Sequence, residues 1–452
     1  MNSVDSNQSN EIAASLLQNP TQDNFALVFA TENQGKLIYV PQIKRWHIWD
    51  GARGVWVEDD RGHVMDQVRK FCRHNNRDGR KTLGKRSFIS DVEKLCRADQ
   101  HHFVENMDRL NGNSNVLNTR AGIVNLRTGD IAPHDPFSYC TKSSPFRPST
   151  EHDHVFLRFL SDITRGDAEL QEFLQISLGS FLSGALEEHA IYFWIGNGRN
   201  GKNTLGDLVM NVMGSYAKKI PSSVLLSQYG SEHPTSIANL RGCRLAISSE
   251  LPDGSFFDEA KIKELTGDEI LSARYMRQDY FEFPRTHKHL VYGNHRPQIR
   301  TVDDGIKSRM KMVPFNASFK DAEDPKLPKK LKKESDFVLQ WLIEGHLKWR
   351  ENGFKVPPCA AVEGYTTDYY ASQSTPEMWL EERCKLILDD GRPKSQWPKA
   401  SRLYEDYSGW KRSRGETPVS SQRLSEFLVS RFDKKVSGGI RYVGLQLKQV
   451  GL

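Results

Sequence analysis

The chain has 452 residues and a net charge of +6, with 37% hydrophobic and 27% charged side chains. Such values exclude a collagen-like, low-complexity or wholly disordered protein and fit roughly two to four globular domains. The charge is too small for this length to diagnose nucleic-acid binding, yet it is uneven. Residues 1–35 carry four acidic and no basic side chains, whereas residues 401–452 carry ten basic against five acidic, so the C-terminal end is the better candidate for meeting a polyanion.

The six cysteines are scattered, without the close spacing of a zinc or redox motif, which predicts reduced, structural thiols. The N-terminus lacks the basic start and apolar core of a signal peptide, and no apolar run approaches the ~18 residues of a membrane span. The expectation is a cytoplasmic protein, in a host cell's cytoplasm if phage- or plasmid-encoded, with no membrane partner.

In chain order, residues 1–24 are rich in Asn, Ser and Gln and predict a flexible tail. Residues 25–150 alternate short β-prone pieces (KLIYV, RWHIWDGARGVWVEDD, GIVNLRTGDIAPHDP) with helical stretches near GHVMDQVRKFCRH and RSFISDVEKLCRADQ, a small α+β domain. Trp46, Trp49 and Trp56 can in principle stack on bases, but aromatic residues on half-buried strands are expected in a core. Residues 151–335 begin with helical lead-in sequence and then alternate strands with helices, as an α/β ATPase requires. A helical connector is expected over 336–374 and a terminal domain over 375–452, and no internal repeat is evident.

The central motif is GNGRNGKNT, Gly196 to Thr204, placed directly after the apolar run AIYFWI and before LGDLVMNVMG, whose apolar positions recur at helical spacing. Strand, glycine-rich turn and helix put backbone N–H groups and a helix N-terminus around one concavity that favours phosphate. The spacing of Gly196, four residues, Gly201 and Lys202 is that of a P-loop. The expected cradle is therefore Gly196, Asn197, Gly198, Arg199, Asn200, Gly201, Lys202, Asn203 and Thr204, and the expected ligands are a nucleoside triphosphate and Mg²⁺. Residue 203 is Asn where Ser or Thr is usual, so the metal falls either to the Asn203 amide or to the Thr204 hydroxyl.

Two further apolar strands end in polar residues. GCRLAISSEL ends near Glu250, placed to polarise a water and help hold Mg²⁺, and HKHLVYGNHRP ends near Asn294, placed to orient the same water.

The set GNGRNGKNT, LAISSE, KELTGDEILSARYMRQDYFEF, HLVYGNHRP and DDGIKSRMKMVPF resembles the superfamily 3 helicases. Within them it is similar to the phage and plasmid primase-helicase branch that includes poxvirus-type replication helicases. The resemblance is dense over residues 191–315 and weaker on both sides. It implies a P-loop, AAA+-like α/β core with an N-terminal α+β domain and a C-terminal winged helix. It also implies a replicative helicase of a phage, plasmid or mobile element, working as a homo-hexameric ring with ATP hydrolysed at subunit interfaces and 3′ to 5′ translocation on single-stranded DNA.

By the same resemblance Arg309 matches an arginine that reaches a neighbour's γ-phosphate, completing a catalytic set with Lys202, Glu250 and Asn294. The segment from Lys261 to Arg277 matches the DNA-contacting motif and pore hairpin, with Lys261, Lys263, Arg274 and Arg277 for phosphates and Tyr275 for stacking. Members often carry a primase upstream; no paired-aspartate strand motif is seen here, so a helicase without its primase is expected, with a primase or polymerase as partner. The rival class is an ATP-regulated origin initiator or loader that drives no processive unwinding.

The C-terminal pieces KASRLYEDYSGWKRSRG, SSQRLSEFLVSRF and KKVSGGIRYVGLQLK read as helix, helix and β-wing, the second helix capped by Ser420 or Ser421. This unit is read as docking on duplex or forked DNA, with a protein-interaction role as the alternative.

Overall fold

The computed structural model describes residues 12–448 apart from 77–78, 228–234, 253–254, 278, 300–302, 321–323, 374–375, 388–392 and 415–417. At its centre five strands, β1 (Ile191–Ile195), β2 (Ala217–Lys219), β3 (Leu245–Ser249), β4 (Lys288–Gly293) and β5 (Met310–Pro314), form one parallel sheet in the order 5-1-4-3-2. Apart from the edge strand β2, which is Ala-Lys-Lys with exposed lysines, the strands are predominantly apolar runs rather than alternations because both faces are covered. Ile191, Phe193 and Ile195 enter one core cluster with Val291, Met310 and Met312, while Tyr192 and Trp194 enter a second with Leu290, Tyr292 and Val313.

Around the sheet lie α1 (Val155–Thr164), α2 (Ala168–Ser180), α3 (Lys202–Met213), α4 (Glu259–Gly267), α5 (Asp304–Arg309), α6 (Leu327–Lys333), α7 (Ser335–Glu351) and α8 (Ala360–Gln373). The buried Glu334 carboxylate fixes the start of α1 by accepting from the backbone N–H groups of Asp153 (2.6 Å), Val155 (3.2 Å) and Phe156 (2.6 Å). A carboxylate suits the positive end of a helix and satisfies donors that have no intrahelical acceptor.

The expected domain limits shift in three places. Residues 1–11 of the expected tail lie outside the described residues, but residues 12–18 are helical, Leu17 packs on an N-terminal core that includes Phe25, Trp46 and Phe103, and a further helix spans Gln22–Glu32 behind a Thr21 cap. The α+β domain holds its own core only as far as Phe103. The antiparallel sheet Val116–Thr119, Gly122–Asn125 and Ile131–Ala132 instead sends Leu117 and Val124 into the central cluster. The segment read as a connector also belongs to the central unit, since α7 buries Val338, Leu342 and Ile343 there and α8 buries Tyr369.

Two of the three tryptophans behave as expected of core residues: Trp46 is buried with its Nε1–H donating to Glu93 Oε1 at 2.7 Å, and Trp56 is buried with its Nε1–H on Pro136 O at 2.8 Å, whereas Trp49 is half-buried with its ring 5.4 Å from that of Trp56.

The C-terminal unit contains helices Pro376–Arg383, Ala400–Ser413 and Ser421–Val429, followed by the hairpin Lys434–Val436 and Ile440–Tyr442; a separate strand, Cys384–Leu386, pairs with Leu445–Leu447. Of the two candidate caps, Ser420 is the one that accepts from a backbone N–H, that of Arg423. Its core is Trp379, Leu403, Tyr407, Leu424, Tyr442 and Leu445. All six cysteines are buried free thiols. Among the described residues no helix is long and apolar enough to cross a membrane.

Candidate nucleotide site

The glycine-rich loop joins β1 to α3 at the C-terminal edge of the sheet. Two of its glycines are required by space. A Cβ on Gly196 would lie 2.0 Å from Asn200 Nδ2 and 2.4 Å from Phe315 O, and Gly201 (φ +84°) would drive one to 2.3 Å from Ile163. Asn200 Nδ2 donates to Phe315 O at 3.0 Å, and Phe315 N–H donates to Ile195 O at 2.8 Å, so the loop is pinned to the end of β5.

Lys202 opens α3 and is buried. Its ammonium donates to Asn294 Oδ1 at 2.7 Å, to Gly196 O at 3.0 Å and to Asn200 Oδ1 at 3.4 Å. All three acceptors are neutral, so the positive charge keeps its full attraction for an anion, and burial lowers the lysine's pKa because desolvation disfavours the charged form.

Lys202, Asn203, Glu250 and Asn294 line one cavity of about 330 Å³. Glu250 follows the last residue of β3 with φ +61°, a left-handed conformation that costs a non-glycine residue on the order of 1 kcal/mol. Asn294 follows β4, the strand that lies between β1 and β3. Three strand ends thus bring a lysine, a carboxylate and an amide to one place.

Thr204 does not join them: it lines a second, larger cavity of about 530 Å³ with Arg158, Phe159, Asp162, Arg199 and Phe319. Of the two residues read as metal ligands beside Glu250, the structure puts Asn203 on the Glu250 side and Thr204 on the other. The second cavity is largely apolar with charged groups at its margin. Sequence reasoning missed it because its lining comes from α1, the loop with the start of α3, and α6 with the segment before it, which no local pattern connects.

Arg309 ends α5 and stands directly before β5. Because Met310 is in register with Ile191 and Pro314 with Ile195, Arg309 sits at the opposite end of the sheet from Gly196, roughly 20 Å away at ~3.3 Å per strand residue. Its own loop is beyond its reach. Its Nη1 donates to Gly305 O at 2.8 Å, folded back on its own helix.

The residues read as DNA contacts are not brought together. Ile270–Ala273 and Phe281–Pro284 form the expected hairpin, with Arg274 and Arg277 exposed at its turn and the Arg274 guanidinium 4.8 Å from the Tyr280 ring. Tyr275 turns inward instead, stacking on Phe281 at 5.5 Å and donating to Ala238 O at 3.4 Å. Lys261 and Lys263 lie on α4, ion-paired to Glu264 (3.0 Å) and Asp303 (2.5 Å). Tyr280 and Met276, 60% and 71% exposed, are the apolar groups this turn actually presents; the place of Met276 between Arg274 and Arg277, with Tyr280 three residues on, was the available signal.

Residues 26–165 match the family model described as D5 N terminal like, and residues 194–309 match a family of unknown function. A provisionally named helicase of Acanthamoeba polyphaga mimivirus is 28% identical over 264 residues, 56% of this chain and 27% of the relative. A provisionally named primase of African swine fever virus is 25% identical over 325 residues, 66% of this chain and 33% of the relative. A provisionally named helicase of Invertebrate iridescent virus 6 is 27% identical over 165 residues, 35% of this chain and 17% of the relative. The chain thus spans a third or less of the length of these relatives. The apo structure of the C-terminal region of NrS-1 superposes with a TM-score of 0.47 at 10% identity, over 92% of this chain and 97% of that one.

Proposed function

We propose, from the premise that this chain belongs to the superfamily 3 type of phage and viral primase-helicases, that it is an ATP-dependent replicative DNA helicase that acts as a homo-hexameric ring. The observation that carries the reading is the single cavity shared by Lys202, Asn203, Glu250 and Asn294 at the C-terminal edge of a parallel sheet, the crevice where open α/β sheets bind ligands.

The residues suit a triphosphate. The loop leaves no room for a Cβ at Gly196, its backbone N–H groups open onto a helix N-terminus, and the buried ammonium of Lys202 has only neutral partners to give up. The larger cavity beyond Gly201 and Thr204 would take the base and sugar. Among the described residues no cluster of three or more His, Cys, Asp or Glu could hold a metal alone. That agrees with Mg²⁺, which keeps waters and phosphate oxygens and takes few protein ligands, here Asn203 and Glu250.

In this site Glu250 orients and polarises the attacking water, Asn294 holds the same water while sharing Lys202, and Lys202 compensates charge on the phosphates. Arg309 is sited to serve the neighbouring subunit, since its own loop lies at the other end of the sheet. Arg274 and Arg277 at the hairpin turn supply phosphate contacts to single-stranded DNA, translocated 3′ to 5′. The C-terminal helices and hairpin act as a winged helix on duplex DNA.

The test is strand separation of a forked duplex beside nucleotide hydrolysis. ATP-dependent unwinding that stops with a non-hydrolysable analogue is expected. DNA-stimulated hydrolysis without unwinding would instead identify an origin initiator or loader.

A further inference from the structure

The helix α8 makes a set of polar contacts that no catalytic role assigned above uses. Its residues 365, 366, 369 and 370 form one face, one turn apart, and that face touches the loop after Asn294 at one end of the sheet and the helix α5 at the other. At one end, Arg296, two residues after Asn294, donates from Nε to the Tyr365 hydroxyl at 3.1 Å and lies 4.3 Å over the Tyr365 ring. The Tyr369 hydroxyl, fully buried, donates to Pro297 O at 2.8 Å. At the other end, the Tyr370 hydroxyl donates to Ile306 O at 3.2 Å, within the helix that carries Arg309. Between them Thr366 Oγ1 accepts the Met312 N–H of β5 at 3.0 Å.

The Asn294 loop is fastened on its other side as well. Gln298 N–H donates to Ser255 O at 2.8 Å and Phe257 N–H donates to Gln298 O at 2.9 Å, which joins it to the segment after Glu250. Phe256 of that segment packs on the core of the C-terminal unit, which follows α8 in the chain.

We propose that α8 is a strut that ties the Asn294 loop to the Arg309 helix of the same subunit, with Tyr365 and Tyr369 as positioning residues. A change at the Lys202–Asn294 contact when nucleotide binds is then carried to the arginine offered to the next subunit and to the C-terminal unit. A buried hydroxyl bonded to a backbone carbonyl transmits displacement because neither partner can move alone without leaving the other unsatisfied. The proposal rests on the nucleotide-site reading and adds the route by which one site reports to the next.

The test is Tyr369→Phe in the full chain, which removes one hydroxyl and keeps the ring. Hydrogen exchange with and without a non-hydrolysable ATP analogue, and steady-state hydrolysis, are read together. In the wild type the analogue is expected to change exchange in residues 196–204, 294–298, 304–309 and 360–373. In Tyr369→Phe the change in 304–309 and 360–373 should shrink while that in 196–204 persists, with kcat lower by about fivefold and KM within about twofold. Should Tyr369→Phe fail to fold, Arg296→Lys, which keeps the charge but loses the stacked, planar contact with Tyr365, is expected to give the same pattern.

Changes confined to 196–204 and 294–298 in the wild type, or a Tyr369→Phe protein with unaltered kcat and exchange, would overturn the strut. No change anywhere, at 196–204 included, would overturn the nucleotide-site reading and the strut with it.

Discussion

The ammonium of Lys202 and the side-chain oxygen of Asn294 lie 2.7 Å apart, joining the loop after β1 to the end of β4. The lysine that would meet a phosphate is thus already held by the amide that would hold the attacking water. A neutral acceptor orients the charge without cancelling it.

Asn294→Asp would replace that acceptor with a carboxylate and form a buried ion pair. Nucleotide affinity is expected to fall at least about tenfold, because the new charge both occupies Lys202 and repels the terminal phosphate. Asn294→Ala is expected to leave binding within about threefold and to remove most hydrolysis. Fluorescent-nucleotide titration beside a phosphate-release assay separates the two; equal affinities would contradict the shared-lysine geometry.

Glu250 is exposed and in a left-handed backbone conformation, so its side chain contributes little to the fold. Glu250→Gln should lower kcat by about 10² or more with a change in Tm of no more than about 2 °C. A large loss of Tm with partial activity would mark it as a structural residue instead.

Arg309→Ala subunits should bind nucleotide yet fail to hydrolyse it alone. Mixing them with Lys202→Ala subunits should restore activity at interfaces that pair an intact loop with an intact arginine. Loss of such an arginine is worth on the order of 10³ in rate, so a minority of repaired interfaces would be visible. Normal hydrolysis by Arg309→Ala alone would move the role to Arg296; Arg300, the other arginine after Asn294, lies outside the described residues.

Burial, the largest cause in each case, pushes His47 down to about 4 and His289 and His346 to about 3, from an ordinary value of 6.5. Between those values the unfolded chain binds protons that the folded chain does not, so stability falls as pH drops below about 6.5. By pH 5 each imidazole has lowered stability by about 2 kcal/mol relative to pH 6.5 and above. Lys288, held by burial at about 7 against 10.5, acts with the same sign at higher pH, stability rising from about 7 to 10.5. Tm should therefore climb between pH 5 and pH 8, and a Tm that falls over that interval would contradict the neutral, buried state of these histidines.

Much of this arrangement was legible because it is local in sequence. The loop from Gly196 to Thr204, the strands ending at Glu250 and Asn294, and the hairpin around Arg274 each lie within one short segment with a clear period or turn signal. What was missed is non-local. The helix Gln22–Glu32 has apolar residues on nearly all sides and five of them buried, so it shows no amphipathic stripe to read. Tyr275 was assigned outward, but Phe281 across the hairpin draws its ring in. Lys261 and Lys263 read as free charges because Glu264 and Asp303 become partners only once helix geometry and the fold bring them close. The sides taken by Asn203 and Thr204 depend on the cavities either side of α3, which tertiary packing alone creates.

The most direct test of the nucleotide-site reading is ATP hydrolysis by the wild type and by Lys202→Ala, each with and without single-stranded DNA, with circular dichroism to confirm equal folding. The wild type is expected to hydrolyse ATP faster with DNA, and Lys202→Ala to lose hydrolysis by about 10² or more while remaining folded. A folded Lys202→Ala protein that hydrolyses ATP at the wild-type rate would contradict it.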